Sequence, residues 1–302
     1  TPKPSSAASD VYKRQVVFRI FSFFTFVLLS SAVFADGVWK ISKGPEHFYL
    51  AGSIHLLSTD DYPLPPEYLK ALHNSDSLVL ETDLAQLSSP AGIQQMIDLN
   101  SYPSGENLLQ QLSEPLARQL ADYCKKNNIP LEQITRFKPA FAAVMLTTTQ
   151  LQAQGATAPG VDAYLQDEAK KAGKKVTGLE TMQQHLAVLT ELNNSGAETL
   201  IKSTMEDLTD SSEDFDAMRK AWRSGDLQQL EHLYLDDLKS YPAIYQSLIV
   251  KRNNAWVKQL VQARYQTPVF VVVGALHLAG NDGLIKQLAQ QGYQITKVQG
   301  SL

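Results

Sequence analysis

At 302 residues, 44% hydrophobic and 19% charged, the chain has a globular composition and enough length for one large domain or two small ones. It shows no glycine period, sustained heptad or charge-rich stretch of low hydrophobicity, which excludes a collagen-like, coiled-coil or disordered chain. The net charge of −4, with 27 Lys+Arg against 31 Asp+Glu and no basic run longer than a pair, argues against nucleic acid as the main ligand, because neutralising phosphates needs a concentrated positive surface.

The first elements in chain order lie outside any fold. Residues 10–15, DVYKRQ, read like a translated sequencing adapter, so residues 1–15 are expected to be an artefact. Residues 16–35 carry an apolar core from Ile20 to Leu29 and end in Val33-Phe34-Ala35, with small residues at the −3 and −1 positions of a signal-peptidase site. Ser30-Ser31 interrupts this run well short of the roughly 20 apolar residues of a membrane anchor. A cleavable signal peptide over 16–35 is therefore expected, with no integral membrane segment after cleavage and a periplasmic or secreted domain over 36–302. No cysteine follows the apolar core, so no lipoprotein attachment is expected. Removing residues 1–35 takes away four basic residues and one acidic one, leaving 23 basic and 30 acidic residues, a net −7. Cys124 stands alone; it can neither close an intramolecular disulfide nor supply a thiolate zinc cluster, and the core must hold the domain unaided.

Residues 38–42 and 48–52 are short apolar or alternating runs split by Lys43-Gly44-Pro45, which predicts a hairpin. A helical pattern over 65–74 precedes a short buried strand at 77–81. From 90 to about 153 the periodicity is helical, through Leu108, Leu112, Leu116, Leu120, Phe141 and Met145. A helix over 160–172 feeds a strand at 175–178, and helices follow at 182–192, 197–208, 215–222, 227–238 and 244–263. The run 268–274 is the strongest strand; its unbroken apolar character predicts burial on both faces, as at the centre of a helix-covered sheet. A helix at 284–290 and an alternating strand at 293–298 close the chain. Strands at both ends around a helical middle predict one α/β (α+β) domain, with a central mixed sheet built from the N- and C-terminal segments and a large helical cap.

Two segments repeat one pattern. Tyr49-Leu-Ala-Gly52-Ser-Ile-His55-Leu and Val272-Val-Gly274-Ala-Leu-His277-Leu each read strand, then Gly-x-x-His, then Leu. Glycine lets the backbone turn at a sheet edge, and ligands favour the crevice beyond strand carboxyl ends. Glu81 ends another apolar strand, where a carboxylate is costly unless paired or metal-bound. Two imidazoles and a carboxylate at one edge make a ligand set with open positions. Such a set suits Zn, Mn, Fe or Co and can lower the pKa of bound water. The plainer alternative is a pair of turn histidines that are only hydrogen-bonded. His47, His73, His185 and His232 sit in turn or polar helical positions and are expected to be mostly solvated.

With these motifs the chain resembles the TraB/GumN family, relatives of the Tiki metalloproteases. The resemblance runs from Trp39 to Val298. It includes Lys138-Pro139, Gly160-Val161-Asp162, Gly178-Leu179-Glu180-Thr181, Arg252-Asn253, Gly280 and Gly283-Leu284. It implies a divalent-metal peptidase, supported by manganese or cobalt, with His55, His277 and Glu81 as ligands or active-site groups. Asp162, Glu180, Arg252 and Asn253 match the family without a role that spacing establishes. Glu180 follows a short strand and is a candidate ligand or general base. Arg252 would stabilise a tetrahedral oxyanion or form a buried ion pair with Glu180 or Asp162. Asp162 would cap its helix, and Asp282 the helix after the second histidine, whose amides would alternatively meet an anionic substrate group. Trp222, Tyr234, Tyr241 and Tyr245 are core residues or the lining of a peptide groove.

The function expected is an exported metal-dependent hydrolase, a peptidase, acting on a peptide or protein with a bound divalent metal (Mn, Co or Zn). Other members of the family are linked to shutdown of peptide pheromone signalling, which implies a non-catalytic peptide-binding protein as the alternative. A third option is metal or haem binding through the same histidines, as in more distant relatives.

Overall fold

Alternating apolar residues on either side of a glycine build the first element. Strands β1 (Val38–Lys43) and β2 (Glu46–Ser53) pair antiparallel, with Val38 opposite Ala51. Gly44 turns the chain between them at φ +60°, a left-handed conformation free of strain only without a Cβ. The computed structural model describes residues 37–300, the side chains of 209–214 excepted. The expected artefact and signal peptide therefore lie outside the described residues. No described helix is long and apolar enough to cross a membrane.

Four further strands complete the sheet: β3 (Ser77–Leu80), β4 (Lys175–Gly178), β5 (Val269–Gly274) and β6 (Gln294–Lys297). The spatial order is β4-β3-β5-β2-β1-β6. The neighbours β4, β3, β5 and β2 run parallel, whereas β1 is antiparallel to both β2 and β6. The sheet is mixed, as expected, and its parallel half puts four strand carboxyl ends on one edge.

The longer helices are α1 (Pro66–His73), α2 (Pro90–Asn100), α3 (Glu114–Lys126), α4 (Pro139–Ala153), α5 (Val161–Lys171), α6 (Met182–Asn193), α7 (Ala197–Ser224), α8 (Lys251–Ala263) and α9 (Leu284–Gln290). Pro66, Pro90, Pro115 and Pro139 open the first four, where a missing N–H costs nothing and φ is already helical. Phe270 and Val272 of β5 pack with Tyr68 and Leu72 of α1 and Leu165 of α5. Val269, Val271 and Val273 pack on the opposite side with Trp256 and Leu260 of α8 and Leu284 and Leu288 of α9. The unbroken apolar run of β5 is thus covered on both faces.

The helical middle holds a core of its own, in which Leu116, Leu120 and Cys124 of α3 meet Ala142 and Leu146 of α4 and Ile201, Met205 and Leu208 of α7. Two differences from expectation arise here. Residues 197–208 and 215–222 are one helix, α7, because the polar stretch 209–214 contains no glycine or proline to break it. Gly225 ends it in the left-handed conformation, at φ 62°. The expected helices at 227–238 and 244–263 each contain a π turn, at Glu231–Leu235 and Gln246–Val250. Trp222 and Tyr245 are buried, and Trp222 Nε1 donates to the carbonyl of Gly52 at 2.9 Å.

Candidate functional site

Each of the four parallel strands delivers one titratable side chain just past its last residue. His55 follows β2, Glu81 follows β3, Glu180 follows β4 and His277 follows β5. Beyond the ends of β3 and β4 the chains stay paired, with Leu179 N–H donating to Leu80 O and Glu180 N–H to Glu81 O, both at 2.8 Å. This continuation holds Glu81 and Glu180 beside each other.

Arg252, on the first turn of α8, joins them. Its Nε and Nη2 donate to Glu180 Oε1 and Oε2 at 2.8 and 2.9 Å. Nη2 also donates to Glu81 Oε2 at 2.6 Å, and Nη1 to His277 Nε2 at 3.1 Å. The guanidinium lies over the Trp256 ring, 4.6 Å from its centroid, and that ring is 4.5 Å from the His277 ring. The ion pair foreseen with Glu180 is present, and its second carboxylate is Glu81 rather than Asp162. Four of the five guanidinium N–H groups are engaged, which leaves one on Nη1.

Glu81 Oε1 accepts the Gly274 N–H at 2.7 Å. A Cβ on residue 274 would stand 3.1 Å from this oxygen, and one on residue 52 only 2.9 Å from Ala275 Cα and Cβ. Neither glycine has a positive φ. Their use is close approach, where turning freedom was expected. Burial raises the Glu81 carboxyl, but Arg252, His277, His55 and the Gly274 amide outweigh it and hold the group well below the usual range. Glu180 follows the same pattern, with burial opposed by His185 and Arg252, and is also lowered.

His277 is buried, and its tautomer follows from Asn253. The Asn253 Nδ2 group donates to the carbonyls of His277 and Asp282 at 3.0 and 2.7 Å, so Oδ1 is the atom facing His277 Nδ1 at 2.7 Å. Nδ1 therefore carries the proton and Nε2 the lone pair. Burial, which outweighs the opposing effect of Glu81, and the positive charge of Arg252 lower this imidazole to about 4. The folded state then binds fewer protons than the unfolded state between pH 6.5 and 4, so stability falls as pH falls through this window. In urea unfolding with chelator present, wild type is expected to lose roughly 3 kcal/mol of stability across it. A His277→Gln variant should show a visibly flatter profile, and equal slopes would contradict the assignment.

His55 stands apart from this cluster on the same edge. Its side chain is 66% exposed, and Nδ1 pairs with Asp162 Oδ2 at 2.8 Å. Asp162 raises the imidazole to about 9, and Glu81 adds to the rise. Asp162 does not cap α5, whose N-cap is Gly160; it is a buried first-turn residue bonded to His55, and its Oδ1 has no hydrogen-bond partner among the described residues. A Cβ on Gly160 would collide with the His55 carbonyl. Asp282 does not cap α9 either: Gly283 takes that position, and Asp282 Oδ2 accepts from Tyr245 Oη at 2.8 Å.

His185 was expected to be solvated. Instead it stands on the first turn of α6, its side chain 27% exposed, with Nδ1 3.2 Å from Glu180 Oε2. Its signal was the capping box at Thr181 and Gln184, which starts a helix immediately after Glu180 and turns residue 185 toward the same strand end. His73 and His232 are exposed and His47 is half-buried. Beside Glu180 and Arg252 lies a groove of about 210 Å³ lined by Leu179, Gln184, Val188, Ala255 and Trp256.

The edge carries side chains of the types that divalent metals take as ligands. Both Gly-x-x-His rings are anchored at Nδ1 by an oxygen, Asp162 Oδ2 for one and Asn253 Oδ1 for the other, and an ionised carboxylate stands at the same edge. This anchoring is the usual support of ligating histidines. Among the described residues no three His, Cys, Asp or Glu side chains converge closely enough to share one ion, and the Arg252 guanidinium stands between Glu81, Glu180 and His277.

The model of the TraB/PrgY/gumN family matches residues 37–297. The chain belongs to the TraB/PrgY/gumN family. It is 30% identical over 249 residues to the uncharacterized protein YbaP of Escherichia coli (strain K12), covering 81% of this chain and 89% of that protein. It is 26% identical over 314 residues to Metalloprotease TIKI2 of Danio rerio, covering 85% of this chain and 60% of that one. With Metalloprotease TIKI1 of Homo sapiens the identity is 22% over 313 residues, covering 85% and 61%. The chain thus spans about three fifths of the length of these TIKI relatives. No solved structure matches it.

Proposed function

We propose that this TraB/PrgY/gumN member is a metal-dependent peptidase acting on a peptide or protein. The observation that carries the reading is the matched anchoring of the two Gly-x-x-His imidazoles through Nδ1 at an edge that also holds the ionised Glu81. The TIKI relatives are metalloproteases by name, which agrees with it. His55, His277 and Glu81 would hold the metal only if the exposed His55 ring drew in to the other two, which it does not meet here; Gly52 and Gly274 allow the close approach of the strand ends. A divalent ion there, Mn, Co or Zn, would supply Lewis acidity toward an amide carbonyl and its attacking water.

The remaining residues have roles that follow from their contacts. Asn253 and Asp162 orient the rings. Glu180 takes both oxygens to Arg252 and is lowered, which suits it to hold the guanidinium rather than to accept a proton. Arg252 keeps one Nη1 N–H for an oxyanion. The exposed His55 marks the side from which substrate enters. An exported setting, periplasmic or secreted, goes with this reading and is supported by the apolar run 16–35.

Elemental analysis of untagged residues 36–302, reconstituted separately with Mn, Co and Zn, tests the proposal. Near-stoichiometric metal is expected in wild type and is expected to be lost in His55→Ala and His277→Ala, together with cleavage of a peptide library. A second reading, peptide binding without turnover, is favoured by one observation: Arg252 Nη1 already holds His277 Nε2. Absence of metal from every reconstitution, with the variants folded, would favour that second reading.

A further inference from the structure

The segment that carries His55 runs beyond the main sheet. Past β2 the chain enters a separate two-stranded ribbon, Leu56–Leu57 antiparallel to Ala158–Pro159, and the Val161 N–H donates to Ile54 O at 3.0 Å. A lone two-stranded ribbon is marginal by itself. This one nevertheless sets His55 before one strand and Asp162 beyond the other, where the two side chains meet at 2.8 Å. A further element must hold it.

We propose that Arg219, near the end of α7, is a positioning residue for the His55–Asp162 pair, holding the ribbon through the loop 58–63. Its Nε donates to Asp61 Oδ2 at 2.7 Å and its Nη2 to Asp61 Oδ1 at 2.8 Å. Asp61 is only 4% exposed, and its Oδ2 also accepts the Ser58 N–H at 2.8 Å. The carboxylate thus closes its own loop and joins it to the helix. One turn on, Arg223 Nη1 donates to the Asp61 carbonyl at 2.8 Å. Tyr62 passes this hold to the ribbon: its Oη donates to Pro159 O at 2.7 Å, and its ring lies edge-on to Tyr164 with centroids 5.2 Å apart. The other end of α7 is packed in the core of the helical middle through Ile201, Met205 and Leu208. One unbroken helix therefore links that core to the ribbon. A two-point arginine–carboxylate pair suits this task, because it fixes orientation as well as distance. The inference rests on the reading that places His55 in a peptide site, and it invokes no bound metal.

Hydrogen exchange followed by mass spectrometry on the purified protein tests it, with β5 as the internal control. Arg219→Met is expected to speed exchange about tenfold or more across residues 54–62 and 157–162, the value of one lost hydrogen bond between charged groups. Exchange in β5 is expected to stay as in wild type. Arg219→Lys, which keeps the charge without the fork, is expected to fall between the two, and it carries the same comparison if melts show Arg219→Met to be unfolded. Arg118→Met, which removes a surface cation, is expected to change neither segment. On a peptide library, Arg219→Met is expected to lose cleavage, or affinity if wild type binds without cleaving, as far as His55→Ala does, and Arg219→Lys to recover part of the loss. Unchanged exchange at 54–62 in Arg219→Met overturns the inference. An equal rise in β5 also overturns it, since Arg219 would then serve general stability. So does a loosened ribbon with peptide cleavage and binding intact, because the ribbon's position would not matter to the site. If wild type neither cleaves nor binds any peptide, the peptide reading fails by itself, while exchange still decides whether Arg219 holds the ribbon.

Discussion

Arg252→Met is expected to cost about 3–5 kcal/mol of stability at pH 7, the penalty of breaking a buried ion pair by removing one partner. The substitution leaves Glu81 and Glu180 side by side beneath α8, their side chains each about 10% exposed, with no cation between them. A domain of this size has roughly 5–15 kcal/mol to lose, so the variant should unfold at much lower urea or already be partly unfolded. The pH dependence has a definite sign. In wild type both carboxyls are depressed below their unfolded values. Their stabilisation is present above about pH 4.3 and is lost as pH falls through the folded-state values. In Arg252→Met the lowering by Arg252 is gone while burial still raises both groups, so the deficit relative to wild type should be largest near neutrality and shrink toward pH 4. Arg118→Met is the control, because Arg118 pairs with Glu114 on the surface, where such a pair contributes about 1 kcal/mol at most. An Arg252→Met variant no less stable than Arg118→Met would show that the guanidinium does not hold the two carboxylates.

If His277 holds a metal as proposed, Asn253→Ala is expected to lower metal affinity about 10–100-fold, as is usual when the partner that orients a ligating histidine is removed. Asn253 is fully buried, and its oxygen is the acceptor that keeps the His277 proton on Nδ1. Without it the Nδ1–H has no acceptor and the His277 carbonyl loses its donor, at about 1–3 kcal/mol for each unsatisfied group. The Asp282 carbonyl is less affected, because Gln287 Nε2 also donates to it at 2.8 Å. Asn253→Asp restores an acceptor for Nδ1–H and should recover most of the metal affinity without recovering the stability. This split separates orientation of the ring from packing. Metal binding by Asn253→Ala equal to that of wild type would mean that Asn253 does not set the tautomer.

Everything legible before folding is local. Short apolar or alternating runs marked the strands that became β1 to β6, and the Lys-Gly-Pro turn marked the first hairpin. The two Gly-x-x-His motifs and Glu81 were legible as strand-end residues because the strand and its last side chain are neighbours in the chain. The single helix α7 was misread as two, since a polar turn of helix has the composition of a loop. The same local view mistook Asp162 and Asp282 for caps. An acidic residue at a helix start looks alike whether it bonds its own backbone or a ring arriving from elsewhere.

How these pieces combine depends on long-range packing. The order β4-β3-β5-β2 sets four carboxyl ends on one edge, and that order depends on which buried strands pair, not on any one strand's pattern. The decisive contacts span the chain: His55 meets Asp162 across 107 residues, and Arg252 meets Glu180 across 72 and Glu81 across 171. No periodicity or spacing encodes partners so far apart. Arg252 was visible as a charged residue on a helix, but its place between two carboxylates and an imidazole exists only once burial takes those groups out of water and they must be paired within the protein.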